Sequence, residues 1–284
     1  MSRIHEALKL AEQQRANSNE TAGAGPDGGV TPGAIPIAIP SSQIPSDFLV
    51  SHCRQANWSP DAKTMLFFNS DEQTYGTEQF RTLRSRLYQM REKQHLKKVL
   101  VTSSLPKEGK TFVAANLAQV IVRQQGRRAL LIDADLRAAR LHLALGAEAT
   151  PGLSEYLLGE ADETAIMQRG AMENLIFIPS GRSVSNPAEL VANGRLKSLL
   201  ERVEGLFDWI VIDSPPAVPI SDAGLLASYC DGILMVVRSG STPYDVARKA
   251  RDEFNGKRLV GVVLNGTGAS SLDAPYYYKV YGRP

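Results

Sequence analysis

Gly109, Lys110 and Thr111 stand where a strand-like run, KKVLVTSS, meets a helix-like run, FVAANLAQVIV. A lysine at the first turn of a helix is badly placed on its own, because the helix dipole repels cations there. An anion held in the loop removes the conflict. In the pattern G-x-x-x-x-G-K-[ST], loop N–H groups wrap phosphates, the lysine reaches the β- and γ-phosphates and the hydroxyl binds Mg²⁺. Gly109, Lys110 and Thr111 fill the last three places, and Ser104 stands where the first glycine is expected.

Two further apolar runs deliver carboxylates. Ala129–Ile132 leads into Asp133-Ala134-Asp135-Leu136-Arg137, and Trp209–Ile212 leads into Asp213-Ser214-Pro215-Pro216. Acids at the C-terminal ends of strands lie where open α/β sheets bind ligands. Mg²⁺ takes a few hard oxygen ligands and keeps several waters. Three acids near one phosphate site therefore leave one or two for the metal and one for a base. Capping the following helix is the alternative role, and it suits Asp135 equally well.

A second local signal lies at the far end of the chain. Tyr276, Tyr277, Tyr278 and Tyr281 fall within the last nine residues, out of nine tyrosines in all. An unperturbed phenol has a pKa of ~10, so a nearby carboxylate assists its reaction by taking the proton. The alternative is an aromatic tail packed on a partner or on the chain itself. Core aromatics more often show helical or alternating spacing, whereas these are nearly consecutive and lie beside Lys279, Gly282 and Arg283.

The elements that position these groups follow from periodicity. Strand-like runs are Val99–Thr102, Ala129–Ile132, Leu175–Ile178, Trp209–Ile212, Ile233–Val237 and Leu259–Leu264. Helical stretches at about 111–125, 188–204, 222–229 and 243–255 separate most of them. Apolar, β-branched strands with helical crossovers predict an α/β fold, a doubly wound and mostly parallel sheet covered on both faces. A further helix is expected at about 77–91, with Phe80, Leu83, Leu87 and Met90 on one face and Glu78, Arg81 and Arg84 on another. Residues 1–16 read as a short helix and 17–46, dense in Gly, Pro, Ala and Ser, as a flexible linker. The main domain is expected over 47–265, with Trp58 and Met65–Phe68 packing onto it, and the tail over 266–284.

Bulk properties narrow the class. With 32 basic and 30 acidic residues the formal net charge is +2, which gives no reason to expect nucleic acid as a partner. Two distant cysteines form neither a metal pattern nor a disulfide framework and suit a reducing cytosol. No run is long and apolar enough to span a bilayer, and the first residues lack the apolar core of a signal peptide. A cytoplasmic protein is expected, held at any membrane by something else.

From about Glu78 to the C-terminus the chain resembles the bacterial tyrosine kinases of exopolysaccharide and capsule synthesis, whose cytoplasmic domains have a modified P-loop NTPase fold related to partition ATPases. Their phosphate loop reads like S-x-x-P-G-E-G-K-[ST]; the stretch here is SLPKEGKT, with Lys107 where glycine is usual. The resemblance implies nucleotide contacts from Ser104, Lys107, Glu108, Gly109, Lys110 and Thr111. It carries the apolar-D-x-D-x-R motif to Asp133, Asp135 and Arg137, and apolar-D-[ST]-P-P to Asp213–Pro216. By that likeness Asp133 helps activate the tyrosine hydroxyl, with Lys110 and Asp135 also catalytic, and Thr111, Asp135 and Asp213 hold Mg²⁺. Asn186–Leu190 also looks like the family's. Asn265 falls where related ATPases contact adenine. Glu78, Arg81 and Arg84 match E-x-x-R-x-x-R, which implies a homo-oligomeric ring, and MSRIHEALK resembles stand-alone members that accompany a separate membrane protein. The function implied is an ATP- and Mg²⁺-dependent autokinase, recruited to the inner membrane face by a polysaccharide co-polymerase or activator, that modifies Tyr276, Tyr277, Tyr278 and Tyr281. Two rivals remain. A septum- or partition-positioning ATPase would often carry lysine where Leu105 stands. A nucleotide-gated scaffold for the co-polymerase would need no tyrosine chemistry.

Overall fold

Alternate residues of a strand point to opposite sides of its sheet. Here both sides are apolar. Leu100, Leu130, Ile132, Ile178, Ile210 and Ile212 enter one buried cluster, while Val99, Val101, Leu131, Phe177, Trp209 and Val211 enter a second. A sheet with two such faces has to be covered twice, and helical crossovers on both sides do this.

The computed structural model describes residues 46–68 and 75–267. The expected N-terminal helix, nearly all of the linker and the tyrosine cluster lie outside the described residues. In chain order the elements are α1 (Ser46–His52), β1 (Arg54–Gln55), α2 (Tyr75–Lys93), β2 (Lys98–Ser103), α3 (Lys110–Val122), β3 (Ala129–Asp133) and α4 (Leu141–Leu145). They continue with α5 (Leu153–Leu158), α6 (Glu163–Ile166), β4 (Gln168–Arg169), β5 (Leu175–Ile178), α7 (Pro187–Ala192), α8 (Arg195–Val203) and β6 (Trp209–Asp213). Last come α9 (Asp222–Ala227), β7 (Gly232–Arg238), α10 (Tyr244–Asp252) and β8 (Leu259–Asn265).

The eight strands form one sheet in the order β1-β4-β5-β3-β6-β2-β7-β8, parallel except where β4 meets β5. The expected α/β, doubly wound, mostly parallel architecture is the one found. Each expected strand is present, extended by at most a residue at either end. The helix expected over 188–204 is instead two helices, because Gly194 adopts a φ of 83° and starts α8 in a new direction. The pair β1 and β4, two residues each, escaped the periodicity reading because no repeat exists within two residues.

α3 is buried along Val113–Ile121 and fills the space beneath the central strands. The 19-residue α2 packs across it. Phe80 meets the rings of Phe67 and Phe112 edge-on at centroid distances of 6.2 and 5.7 Å, and Tyr88 meets Trp209 at 5.4 Å. Trp58, Met65 and Phe67 are buried, as expected for this segment. Asn116 on α3 fixes it by accepting from Leu66 N and donating to Thr64 O, both at 2.8 Å. Arg84 donates to the Val120 carbonyl at 2.8 Å, where the last turn of α3 favours a cation. Glu78 and Arg81 form an ion pair along α2 and stay partly exposed.

Candidate active site

The C-terminal ends of β2, β3 and β6 converge on one point. Asp133 and Asp213 are register partners on adjacent strands, and Asp213 also pairs with Val101 of β2. β2 runs on to Ser103, so the loop over 104–109 rises just beyond the two carboxylates before α3 begins. Within that loop Lys107 has φ 68° and Gly109 has φ 97°. Two left-handed residues on either side of Glu108 curl the backbone tightly, the kind of turn in which successive N–H groups gather on an anion. For a residue with a Cβ this conformation costs about 1–2 kcal/mol, so Lys107 is held there by its surroundings. Arg238 Nη1 donates to its carbonyl at 3.3 Å.

Glu108 explains how the loop keeps its shape. Its buried carboxylate accepts from Leu105 N at 2.9 Å and from the Thr242 hydroxyl, and Thr242 Oγ1 in turn accepts from Arg238 N at 3.1 Å. Asn265 Nδ2 donates to Glu108 O at 2.9 Å. Glu108 therefore braces the loop from behind, and the turn between β7 and α10 is part of the phosphate-loop scaffold. Nothing in the local spacing announces Thr242 or Arg238, which join the loop only through tertiary contact.

The chemical groups meet in front. Lys110 Nζ donates to Asp135 Oδ2 at 2.9 Å and lies 3.8 Å from Asp213 Oδ1. The Thr111 hydroxyl donates to Asp213 Oδ2 at 2.7 Å. Asp133 accepts from Leu141 N at 3.1 Å and Asp135 N at 3.2 Å, and Asp135 Oδ1 accepts from Ala138 N at 3.0 Å. Asp135 thus turns the backbone ahead of α4 and faces the lysine, but it does not cap α4, whose N-cap is Arg140. Burial, with the neighbouring Asp213 charge added, pushes the Asp133 carboxyl up to about 8. Burial also lifts Asp213, to about 6, with Lys110 and Thr111 opposing. Burial opposes the charge on Lys110, yet Asp213 and Asp135 together keep its ammonium above the usual lysine value.

The donor set suits a small hard cation beside phosphate. Asp213 Oδ1 is buried without a hydrogen-bond partner, and the Ser104 hydroxyl is likewise buried and unpartnered. A carboxylate oxygen in that condition beside a threonine hydroxyl fits the few hard oxygen ligands that Mg²⁺ takes from a protein. Alongside the loop, α2, α3 and the end of β8 enclose a cavity of about 420 Å³ lined by Phe80, Leu83, Arg86, Phe112, Asn265 and Thr267. A second acid cluster, His95, Glu204 and Asp231, lies at the opposite end of the sheet. Lys98 Nζ already sits 2.8 Å from Glu204 and 3.6 Å from Asp231, so that charge is met from within the chain.

Gly109 is fixed by two independent facts. Besides its φ of 97°, a Cβ there would stand 2.0 Å from Asn265 Nδ2. Gly109→Ala should lower the melting temperature and weaken nucleotide binding. Adding Asn265→Ala should recover the part due to collision and leave the part due to strain, about 1 kcal/mol or more. Full recovery in a double-mutant melting cycle would show that the left-handed backbone carries no cost.

The sites expected from the sequence divide clearly. Ser104, Lys107, Glu108, Gly109, Lys110, Thr111, Asp133, Asp135, Asp213 and Asn265 come together at one edge of the sheet. Glu78, Arg81 and Arg84 lie on α2, and Tyr276, Tyr277, Tyr278 and Tyr281 are outside the described residues.

A family model described as an AAA domain matches residues 107–242. The chain is 34% identical over 211 residues to tyrosine-protein kinase YwqD of Bacillus subtilis, covering 74% of this chain and 89% of that protein. It is 29% identical over 205 residues to tyrosine-protein kinase ptk of Acinetobacter johnsonii, covering 72% of this chain but only 28% of that longer protein. The solved kinase domain of the Escherichia coli tyrosine kinase ETK superposes with a TM-score of 0.65 at 30% identity, over 67% of this chain and 75% of that one.

Proposed function

The chain belongs to the bacterial tyrosine-protein kinases, and on that premise we propose that it transfers the terminal phosphoryl group of ATP to its own cluster Tyr276, Tyr277, Tyr278 and Tyr281. The observation that carries this reading is the meeting of Lys110, Thr111, Asp133, Asp135 and Asp213 at the mouth of a left-handed phosphate loop.

Phosphoryl transfer is mostly positioning and charge neutralisation. The loop amides after Ser104 and the N-terminus of α3 receive the phosphates, and Lys107 stands exposed beside them. Lys110 leaves Asp135 and turns to the β- and γ-phosphates. The cavity beside Asn265 and Phe112 takes the nucleoside, being within the ~300–1,000 Å³ common for ligand pockets. Thr111, Asp135 and Asp213 would hold Mg²⁺, which when bound neutralises phosphate charge. Asp133, at about 8, lies close enough to neutral pH to take a phenolic proton, and its two backbone donors fix the carboxylate in place.

Topology supports delivery of the tail. β8 runs parallel to β7 and ends at Asn265, on the edge that carries the phosphate loop. Tyr276 comes nine residues after Thr267, a span of up to about 30 Å when extended. Delivery to a neighbouring subunit in a ring is the arrangement we favour. Glu78 and Arg81 remain at the surface to meet that neighbour, whereas Arg84 already serves the α2–α3 contact. Each phosphotyrosine adds about 1.5–2 negative charges, so modification would loosen the ring. The cellular role would be regulation of exopolysaccharide synthesis or export, with a membrane co-polymerase recruiting the kinase to the inner face. No described helix is long and apolar enough to cross a membrane. Residues 1–16, 17–46, 47–265 and 266–284 would act as partner-binding helix, linker, kinase domain and acceptor tail.

Intact mass of the purified chain with ATP and Mg²⁺, followed by peptide mapping of the tail, tests the central claim. Phosphate on the Tyr276–Tyr281 peptide is expected. ATP hydrolysis without any phosphate addition would instead favour a positioning-type ATPase. Native mass tests both parts: a monomer before modification removes the ring, and an assembly unchanged after modification removes the loosening.

A further inference from the structure

We infer that Tyr244, at the start of α10, is a second phospho-acceptor of this kinase and that its modification acts on the phosphate loop. This rests on the autokinase reading above. Four tyrosine side chains are described in the folded domain. Tyr156 is buried and donates its hydroxyl to Glu163, the Tyr88 hydroxyl is buried without a partner, and Tyr229 is partly buried against the core. Tyr244 alone among them is open, at 80% exposure. Its place is not arbitrary, since it directly follows the turn that braces the phosphate loop. Thr242, two residues earlier, donates to Glu108, and Arg238 donates to the Lys107 carbonyl.

The helix below it is prepared for an anion. Arg248 and Arg251 follow at i+4 and i+7, on the face beneath the phenol, and Tyr244 lies within electrostatic reach of Arg251. Both guanidiniums now lean on Asp252, Arg248 at 4.0 Å and Arg251 at 2.7 Å. A phosphate on Tyr244 would compete with Asp252 for them, because arginine binds phosphate through paired charge-assisted hydrogen bonds. Asp245 on the same short helix and Glu253 just past its end supply the opposing charge. In the reaction the phenolic oxygen of Tyr244 bonds to the terminal phosphorus of ATP. The bond from that phosphorus to the β-γ bridging oxygen breaks, ADP leaves, and the phenolic proton passes to the base carboxylate. The product places about 1.5–2 negative charges beside the turn that holds Glu108, and weaker ATP binding follows.

The full chain incubated with ATP and Mg²⁺ and cut with trypsin releases Tyr244 in the peptide Ser239–Arg248, apart from the tail. Phosphate on that peptide is expected in the wild type and in a variant with Tyr276, Tyr277, Tyr278 and Tyr281 all changed to Phe. It should be absent from Lys110→Met. Protein phosphorylated at Tyr244 should bind ATP several-fold more weakly, while Tyr244→Phe should show no such change after incubation and should still modify its tail. A modified tail beside a Ser239–Arg248 peptide found only unmodified would overturn this inference and leave the tail reading intact. Phosphate on Tyr244 in Lys110→Met would overturn self-modification. No phosphate on either peptide would remove both readings together.

Discussion

Replacing Lys110 by Met is expected to abolish tail phosphorylation, with a loss of at least about 10²–10³-fold, the range seen when one preorganised electrostatic donor is removed. The lysine is 12% exposed at its side chain and is the cation that faces both Asp135 and Asp213. Without it three buried acids face one another with no positive charge, and the phosphates would enter against that field. Binding of ATP should therefore weaken together with transfer. Lys110→Arg should fail nearly as badly, because a planar guanidinium cannot occupy the space of a compact ammonium. Tail mapping by mass, with thermal melting as a folding control, checks both variants. A Lys110→Met protein that still modifies Tyr276–Tyr281 within about tenfold of wild type would remove Lys110 from the mechanism.

The second large effect is expected at Asp133. Asp133→Asn keeps the shape and removes the proton acceptor, so transfer should fall by about 10²–10⁴-fold, the usual contribution of a positioned base. Nucleotide binding should hold within a few-fold, since Lys110 pairs with Asp135 and the Thr111 hydroxyl with Asp213 rather than with Asp133. A modest structural cost is built in. Asp133 accepts two backbone N–H groups, from Leu141 and Asp135, and an asparagine side chain has only one oxygen to offer them. Melting and ATP titration separate this cost from the catalytic one. Undiminished transfer by Asp133→Asn would assign the proton to another acceptor, and Asp135 would be tried next.

Much of this site was legible from local pattern. A bare Gly109-Lys110-Thr111 is a weak signal, but an apolar strand before it and an apolar helix after it set its geometry, and Asp133 and Asp213 each close a strand of the same kind. Parallel strands buried on both faces read as continuous apolar runs, so their ends are sharp and the acids fall at those ends. Contacts that depend on distant residues were not legible. Nothing near Glu108 says that its carboxylate turns back to Leu105 and across to Thr242, 134 residues later. Arg84 read as one of three charges on an open helix face, yet it caps the end of α3 through Val120 O. The break at Gly194 was visible in principle, since Asn193-Gly194 is a turn signal, but the apolar spacing on either side ran through it.

The strand order also dictates when the site comes into being. β2 carries the phosphate loop but pairs only with β6 and β7, beginning at Lys98↔Ile210 and Val99↔Gly232. Those partners are made more than a hundred residues later in the chain. As the protein leaves the ribosome, β3 can close on β5 first, while β2 waits for both of its neighbours. Closing such long loops is slow, and unpaired apolar strands are exposed to misassembly in the interval. Nascent chains shorter than about residue 238 therefore lack the frame that turns Lys107 and Gly109 into a nucleotide cradle. A growing chain therefore has no assembled phosphate loop until β7 lies beside β2 and Thr242 and Asn265 have reached Glu108.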